Sequence, residues 1–380
     1  MTLPAAEARP SGPLRHIPEL DGMRGIAALA VYFHHVCYST VRDYLPVEQQ
    51  SHSIRFLYSL FAYGNSGVDL FFVLSGFLIT SVLIEARGSD RYYRDFYWKR
   101  VLRILPLYLL CLIVVAITLH QMGYALLSLV FLANFAAPLH VVGYGPFWTL
   151  AIEEQFYLVW PTVVKRCNTT LLLGGAVGIG IASVLLRFLF AFKSHYNYQL
   201  TPLVADSLAF GAGLACLRRS GTLRGVHALW GLWIAVLSGL ALEVLILPNA
   251  VLTVPVAAAT HKTAVTLLAG GVIGLCIARS GSQWLAIFRS RFLRFFGLIS
   301  YAFYMVHLYV LLAWDKYIWR DSIASGQVGD TSGYWERLVA CLVASIGIAV
   351  VTRYMIELPA LNLRRYVLSP TGKREVAQHS

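Results

Sequence analysis

Apolar residues run along this chain in long unbroken blocks, and polar residues are crowded into the short stretches between them. The blocks lie near 22–38, 67–86, 101–119, 148–165, 169–191, 200–217, 227–247, 261–279, 297–318 and 335–356. Most approach the ~20 helical residues that cross a hydrocarbon core of about 30 Å. The pattern predicts an all-α, polytopic membrane helical bundle of about ten transmembrane helices. Gly123 to Pro138 forms a further apolar stretch, short and interrupted by Asn134 and Pro138. Charge argues that it does not cross. With ten spans, most of the 31 Lys and Arg fall on one side, together with both termini. Letting 123–138 cross would carry Lys165 and the basic loops after it to the other side, against the positive-inside rule. The segment near 123–138 is therefore read as re-entrant or interfacial, and both termini as cytoplasmic. Residues 1–16 read as a disordered cytoplasmic tail, 17–360 as one membrane domain and 361–380 as a second cytoplasmic tail.

Composition agrees with this reading. Apolar residues make up 58% of the chain and charged ones 13%, against about 25% charged in soluble domains. The net charge of +12 follows the loops rather than a patch, which excludes a nucleic-acid partner. Six scattered cysteines with no CxxC pair read as small buried apolar residues, not as a disulfide framework or metal site. The first apolar run lacks a convincing cleavage site and reads as the first span of a multi-pass protein of the plasma (inner) membrane.

Chemistry gathers on a few polar residues inside the spans. In LDGMRGIAALAVYFHH, residues 20–35, Arg24 and His35 stand eleven positions apart. Eleven helical steps of about 100° return His35 to within roughly 20° of the Arg24 face, whereas His34 points about 80° away. An ionisable group within a span is costly and usually functional, so His35 is a candidate general base. Asp69, in GNSGVDLFFVLSGFLIT, is either a helix cap or an active-site acid. In FWTLAIEEQFYLVWP, Glu153 shares a helix face with Thr149, Tyr157 and Trp160 and needs a partner: a structural cation or a catalytic imidazole. Arg100 and Arg103, one turn apart in FYWKRVLRILP, either mark a cytoplasmic helix end or hold phosphate. His307, in ISYAFYMVH, either lines a cavity or satisfies a core hydrogen bond. The Gly211, Gly213, Gly174–Gly175 and Gly270–Gly271 positions read as close-packing sites.

At these residues the chain resembles the acyltransferase-3 family of integral-membrane O-acyltransferases. The resemblance covers residues 17 to 360. It is carried by LDGMRGIAAL with the R-x10-H spacing of Arg24 and His35, and by GVDLFFVLSGFLIT. The Arg100–Arg103 pair, WTLAIEEQFYLVWP and ISYAFYMVH complete it, with small departures at Met23, Thr149 and Ala151. The resemblance implies transfer of an acyl group, usually acetyl, from cytoplasmic acyl-CoA to a hydroxyl of a surface glycan, glycolipid or related molecule. It implies that His35 is essential and that the arginines contact CoA.

Together these readings predict that Arg24, Arg100 and Arg103 hold acyl-CoA as a co-substrate, with Tyr157 and His307 as further substrate contacts. His35 deprotonates the acceptor, and Asp69 or Glu153 orients its imidazolium. No permanently bound cofactor and no metal is expected. The rival class is a transporter or flippase that uses the same acids and histidines for substrate or protons. Acceptor recognition is expected in the loops at 39–66, 193–199, 248–260 and 319–334. Oligomeric state, acceptor and acyl length carry no readable motif.

Overall fold

A computed structural model describes residues 16–39, 52–118, 120–141, 143, 145–192, 199–246, 254–319 and 331–368. Residues 1–15 of the expected N-terminal tail and most of the C-terminal one lie outside them, as do residues 40–51, 193–198, 248–253 and 320–330 of the expected recognition loops. The described residues form helices and turns without a strand. The helices are α1 (Pro18–Phe33), α2 (His52–Phe61), α3 (Gly67–Ala86), α4 (Tyr92–Thr118), α5 (Met122–Leu129), α6 (Phe147–Arg166) and α7 (Thr169–Phe192). They continue as α8 (Ala205–Arg219), α9 (Val226–Ile246), α10 (Val254–Ala278), α11 (Arg291–Tyr317), α12 (Thr331–Thr352) and α13 (Leu358–Leu368).

The chain is a polytopic membrane bundle. Seven helical stretches among the described residues are long and apolar enough to cross a bilayer. Three predicted spans are not among the seven: α1 has 16 residues, α8 has 15, and the 20-residue α6 carries Glu153, Glu154, Lys165 and Arg166. Outward apolar side chains on α7, such as Leu185 at 65% exposure and Phe192 at 73%, suit a lipid-facing surface. Within 123–138, α5 has only eight residues, about 12 Å of rise, followed by a 3-10 turn at Ala133–Phe135. It cannot cross as a helix. Tyr108 on α4 anchors it by donating to the Ser128 carbonyl, 2.6 Å away.

Two structured stretches fall where the sequence predicts loop or tail. α2 lies within 39–66, with Ile54 fully buried and Phe61 stacked on Phe33 at 4.7 Å. α13 carries the helix past residue 360.

The chain divides into two compact units. The first takes the described parts of Met1–Val31, Asn65–Arg87 and Thr149–Leu298, and the second those of Tyr32–Gly64, Gly88–Trp148 and Ile299–Ser380. In the first unit, α3 and α8 cross at contact distance. A Cβ on Gly76 would sit 2.0 Å from the Leu208 carbonyl oxygen, and one on Gly211 would sit 2.0 Å from that of Val73. Only glycine permits this approach. Gly270 and Gly271 face side chains closely, a Cβ there meeting the Phe210 ring at 2.4 Å and the Val236 Cγ2 at 2.6 Å. Gly213 has only Leu173 Cδ1 at an ordinary 3.6 Å, and Gly174 and Gly175 have nothing within 4 Å and lie exposed on α7. In the second unit, Tyr32 donates to the Leu338 carbonyl at 2.8 Å, tying the end of α1 to α12.

Candidate active site

The predicted base sits at a change of helix type. α1 ends at Phe33, and residues His34–Ser39 continue as a π turn, a form that recurs at functional sites. His34 and His35 are treated differently there. The His34 Nδ1 lies 3.0 Å from the Phe61 carbonyl on α2. The His35 Nδ1 lies 3.3 Å from Nε2 of His307, on α11, and both belong to the second unit.

His307 is buried, at 1% exposure. Its Nδ1 lies 2.8 Å from the Tyr304 carbonyl and 3.2 Å from that of Phe303. A carbonyl can only accept, so Nδ1 carries the proton, and in the neutral ring Nε2 carries the lone pair. His35 must then donate through its own Nδ1. That leaves the lone pair of neutral His35 on its Nε2. The rings of Tyr32, Phe303 and Tyr304 surround the imidazole of His307, with centroids 6.3, 6.1 and 5.7 Å away. His307 thus makes the core hydrogen bond that was one of the two alternatives read from sequence, and it meets His35 as well.

The other candidates are placed as follows. Arg24 lies in the first unit; Arg100 and Arg103 lie on α4 in the second, with the Arg100 guanidinium 5.9 Å from the Phe96 ring centroid. Glu153 lies in the first unit, and Tyr157 donates to its Oε2 at 3.1 Å, as their shared face predicts. Tyr157 also meets Ser75 on α3, and Trp160 donates to Thr80 at 2.8 Å.

Asp69 does not cap its helix. The 3-10 turn Gly64–Ser66 leads directly into α3 at Gly67, which places Asp69 inside the first turn. Its buried carboxylate lies 2.7 Å from Lys262 Nζ on α10 and accepts from Ser207 Oγ at 3.1 Å. Ser207 in turn bonds Thr266 at 2.8 Å. A second buried pair, Arg187 with Asp206, joins α7 to α8. Sequence reasoning missed Lys262, Arg187 and Asp206. Their signal was present, because opposite charges within apolar spans call for one another. Also missed were Arg337 paired with Asp315 in the second unit (2.7 Å), and Glu19 paired with Arg289 in the first (2.8 Å).

Residues 17–354 match the family described as an acyltransferase domain. Over 168 residues the chain is 34% identical to YrhL of Bacillus subtilis (strain 168), covering 39% of this chain and 23% of that protein. Over 195 residues it is 29% identical to the peptidoglycan O-acetyltransferase OatA of Listeria monocytogenes, covering 44% and 28%. Over 175 residues it is 30% identical to the O-acetyltransferase OatA of Staphylococcus aureus (strain NCTC 8325 / PS 47), covering 40% and 25%. The match thus spans about a quarter of the length of these relatives. No solved structure matches the chain.

Proposed function

Because the chain belongs to the acyltransferase-3 family, whose domain its residues 17–354 match, we propose that it is a membrane O-acyltransferase. It moves an acyl group, acetyl in the simplest case, from cytoplasmic acyl-CoA to a hydroxyl of a surface glycan, with His35 as general base. The observation that carries this reading is the His35–His307 contact at 3.3 Å, backed by the two carbonyls behind His307. The contact supports a His35 tautomer that can accept a hydroxyl proton on Nε2.

In the reaction, the acceptor oxygen attacks the thioester carbonyl as His35 Nε2 takes its proton. The new C–O bond forms, the C–S bond breaks, and the proton returns from the imidazolium to the CoA thiolate. His307 Nε2 holds the ring by accepting from Nδ1–H throughout, the orienting role of the acid in a serine–histidine–aspartate triad. Arg100 and Arg103, on α4 of the unit that holds His35 and His307, supply charge-assisted hydrogen bonds to the CoA phosphates. The protein works in the plasma membrane with both termini cytoplasmic.

The test is purified full-chain protein with radiolabelled acetyl-CoA and soluble peptidoglycan fragments, the acceptor that the Listeria relative's name suggests trying first. Label appearing on the glycan as an alkali-labile ester supports the proposal. Glycan accumulating inside proteoliposomes with no label transferred would assign the protein to transport instead.

A further inference from the structure

Three side chains of the first unit, away from the histidine pair, line up as a nucleophile, a base and an orienting acid. Ser66 closes the 3-10 turn before α3, His261 lies on α10 and Glu243 on α9. The Ser66 Oγ is 3.3 Å from His261 Nε2, and His261 Nδ1 is 2.7 Å from Glu243 Oε1. An ionised carboxylate only accepts, so Nδ1–H of His261 points to Glu243 and the lone pair on Nε2 faces the serine hydroxyl. A nucleophile–base distance slightly above 3.2 Å is usual for such sites without substrate.

Two further observations separate this cluster from an ordinary surface ion pair. Ser66 ends a 3-10 turn that runs straight into α3, and its helical backbone (φ −59°, ψ −15°) does not let the hydroxyl turn back to cap the helix. It makes no side-chain cap here, and its hydroxyl bonds the imidazole instead. One turn further along α3, Asp69 is locked to Lys262, the residue after His261. That buried bond clamps α3 against α10 and fixes the register in which Ser66 and His261 oppose each other. The side chains of His261 and Glu243 are 24% and 20% exposed, so the cluster is held but open to a reactant.

We propose that Ser66, His261 and Glu243 form a second acyl-transfer site, with Ser66 as a nucleophile toward carboxylic esters and thioesters. The Ser66 oxygen bonds to the acyl carbonyl while its proton passes to His261 Nε2. The bond from that carbonyl to the departing alcohol or thiol breaks, and the leaving group takes the proton from His261. Water or an acceptor hydroxyl then attacks the acyl-serine ester, again giving its proton to His261, and Ser66 is restored. Glu243 positions the ring and stabilises the imidazolium. This chemistry is independent of His35.

Full-chain protein in detergent micelles is treated with a fluorophosphonate and, separately, with p-nitrophenyl acetate, and followed by intact mass and peptide mapping. The site predicts one phosphonate adduct per chain, on the peptide containing Ser66, and ester cleavage with a transient acetyl adduct on the same peptide. Ser66→Ala should abolish the adduct on that peptide, and His261→Ala should slow labelling at least about 100-fold, the lower end of what a general base contributes. Glu243→Gln should slow it less, while keeping the melting temperature of the parent. His35→Ala should label like the parent, which separates this site from the acyl-CoA reaction. Labelling of Ser66→Ala at the parental rate, or no adduct on parent protein with a cooperative melt, overturns the proposal.

Discussion

His307 Nε2 stands 3.3 Å from His35 Nδ1, and the carbonyls of Tyr304 and Phe303 behind His307 fix its proton on Nδ1, so that His35 donates between the two rings. The expected consequence is a loss of acyl transfer of about 10²–10⁴-fold in His35→Gln, which cannot take a proton at neutral pH. His34→Ala should keep most of its activity, because the His34 Nδ1 meets a backbone carbonyl of α2. Initial rates with labelled acetyl-CoA check both; a His35→Gln enzyme of normal turnover would make the imidazole structural.

A positioning role for His307 predicts a split between kinetic constants. His307→Phe keeps the packing with Tyr32, Phe303 and Tyr304 but removes the acceptor that fixes the His35 tautomer. The kcat should fall about tenfold or more while KM for acyl-CoA stays within a factor of two. A rise in KM alone would mean that His307 contacts the donor instead.

Arg100 and Arg103 carry the opposite expectation. If they hold the CoA phosphates as proposed, Arg100→Ala and Arg103→Ala each remove a charge-assisted contact of about 1.5–3 kcal/mol, so KM for acyl-CoA should rise about tenfold or more. Steady-state kinetics with both substrates varied would show it. A change confined to the acceptor KM would return these residues to topology signals.

The bundle was legible from the sequence because the length of an apolar block and the sidedness of Lys and Arg are set by the bilayer, whatever the packing. His35 stood out as a candidate for a related reason: a histidine inside a span has few inexpensive places to be. What could not be read was pairing. Asp69 looked like a cap or an acid, since the cation that holds it is 193 positions away on α10. Lys262 itself, adjacent to His261, was covered by the apolar average of its span. α2 was missed because Ile54, Tyr58 and Phe61 mark one face of a helix too short to register as a span. The phase argument linking Arg24 to His35 assumed α geometry throughout, and its last two steps run through the π turn that begins at His34.

Glu19 gives a pH-dependent expectation. Burial raises its carboxyl pKa, but this is outweighed by the Gly281 N–H, Arg289 and Ser280, which lie at 2.8, 2.8 and 2.9 Å. The group is held below its ordinary range. A lowered folded pKa contributes stability above the unfolded value, near 4.3, and loses it as pH falls through the folded one. Glu19→Gln should therefore melt below the parent at pH 7, with the gap closing as pH drops below about 4. A constant gap across that range would mean that the carboxylate charge is not what the Arg289 contact uses.

The Asp69–Lys262 pair sets the last expectation, because its two charges are worth little together and much apart. Both side chains are nearly sealed from solvent, at 3% and 10% exposure. A buried pair gains from attraction about what it lost in desolvation, so replacing both partners by neutral groups is close to neutral. Removing only the cation is different, since it leaves a carboxylate in the bundle with Ser207 as its remaining described donor. Lys262→Met should cost about 3–5 kcal/mol, and adding Asp69→Asn to it should restore most of that loss. Thermal or chemical unfolding of the parent, both single variants and the double variant in one detergent completes the cycle. If the double variant loses the sum of the single losses, the two charges are not coupled, and the clamp between α3 and α10 must come from apolar packing alone.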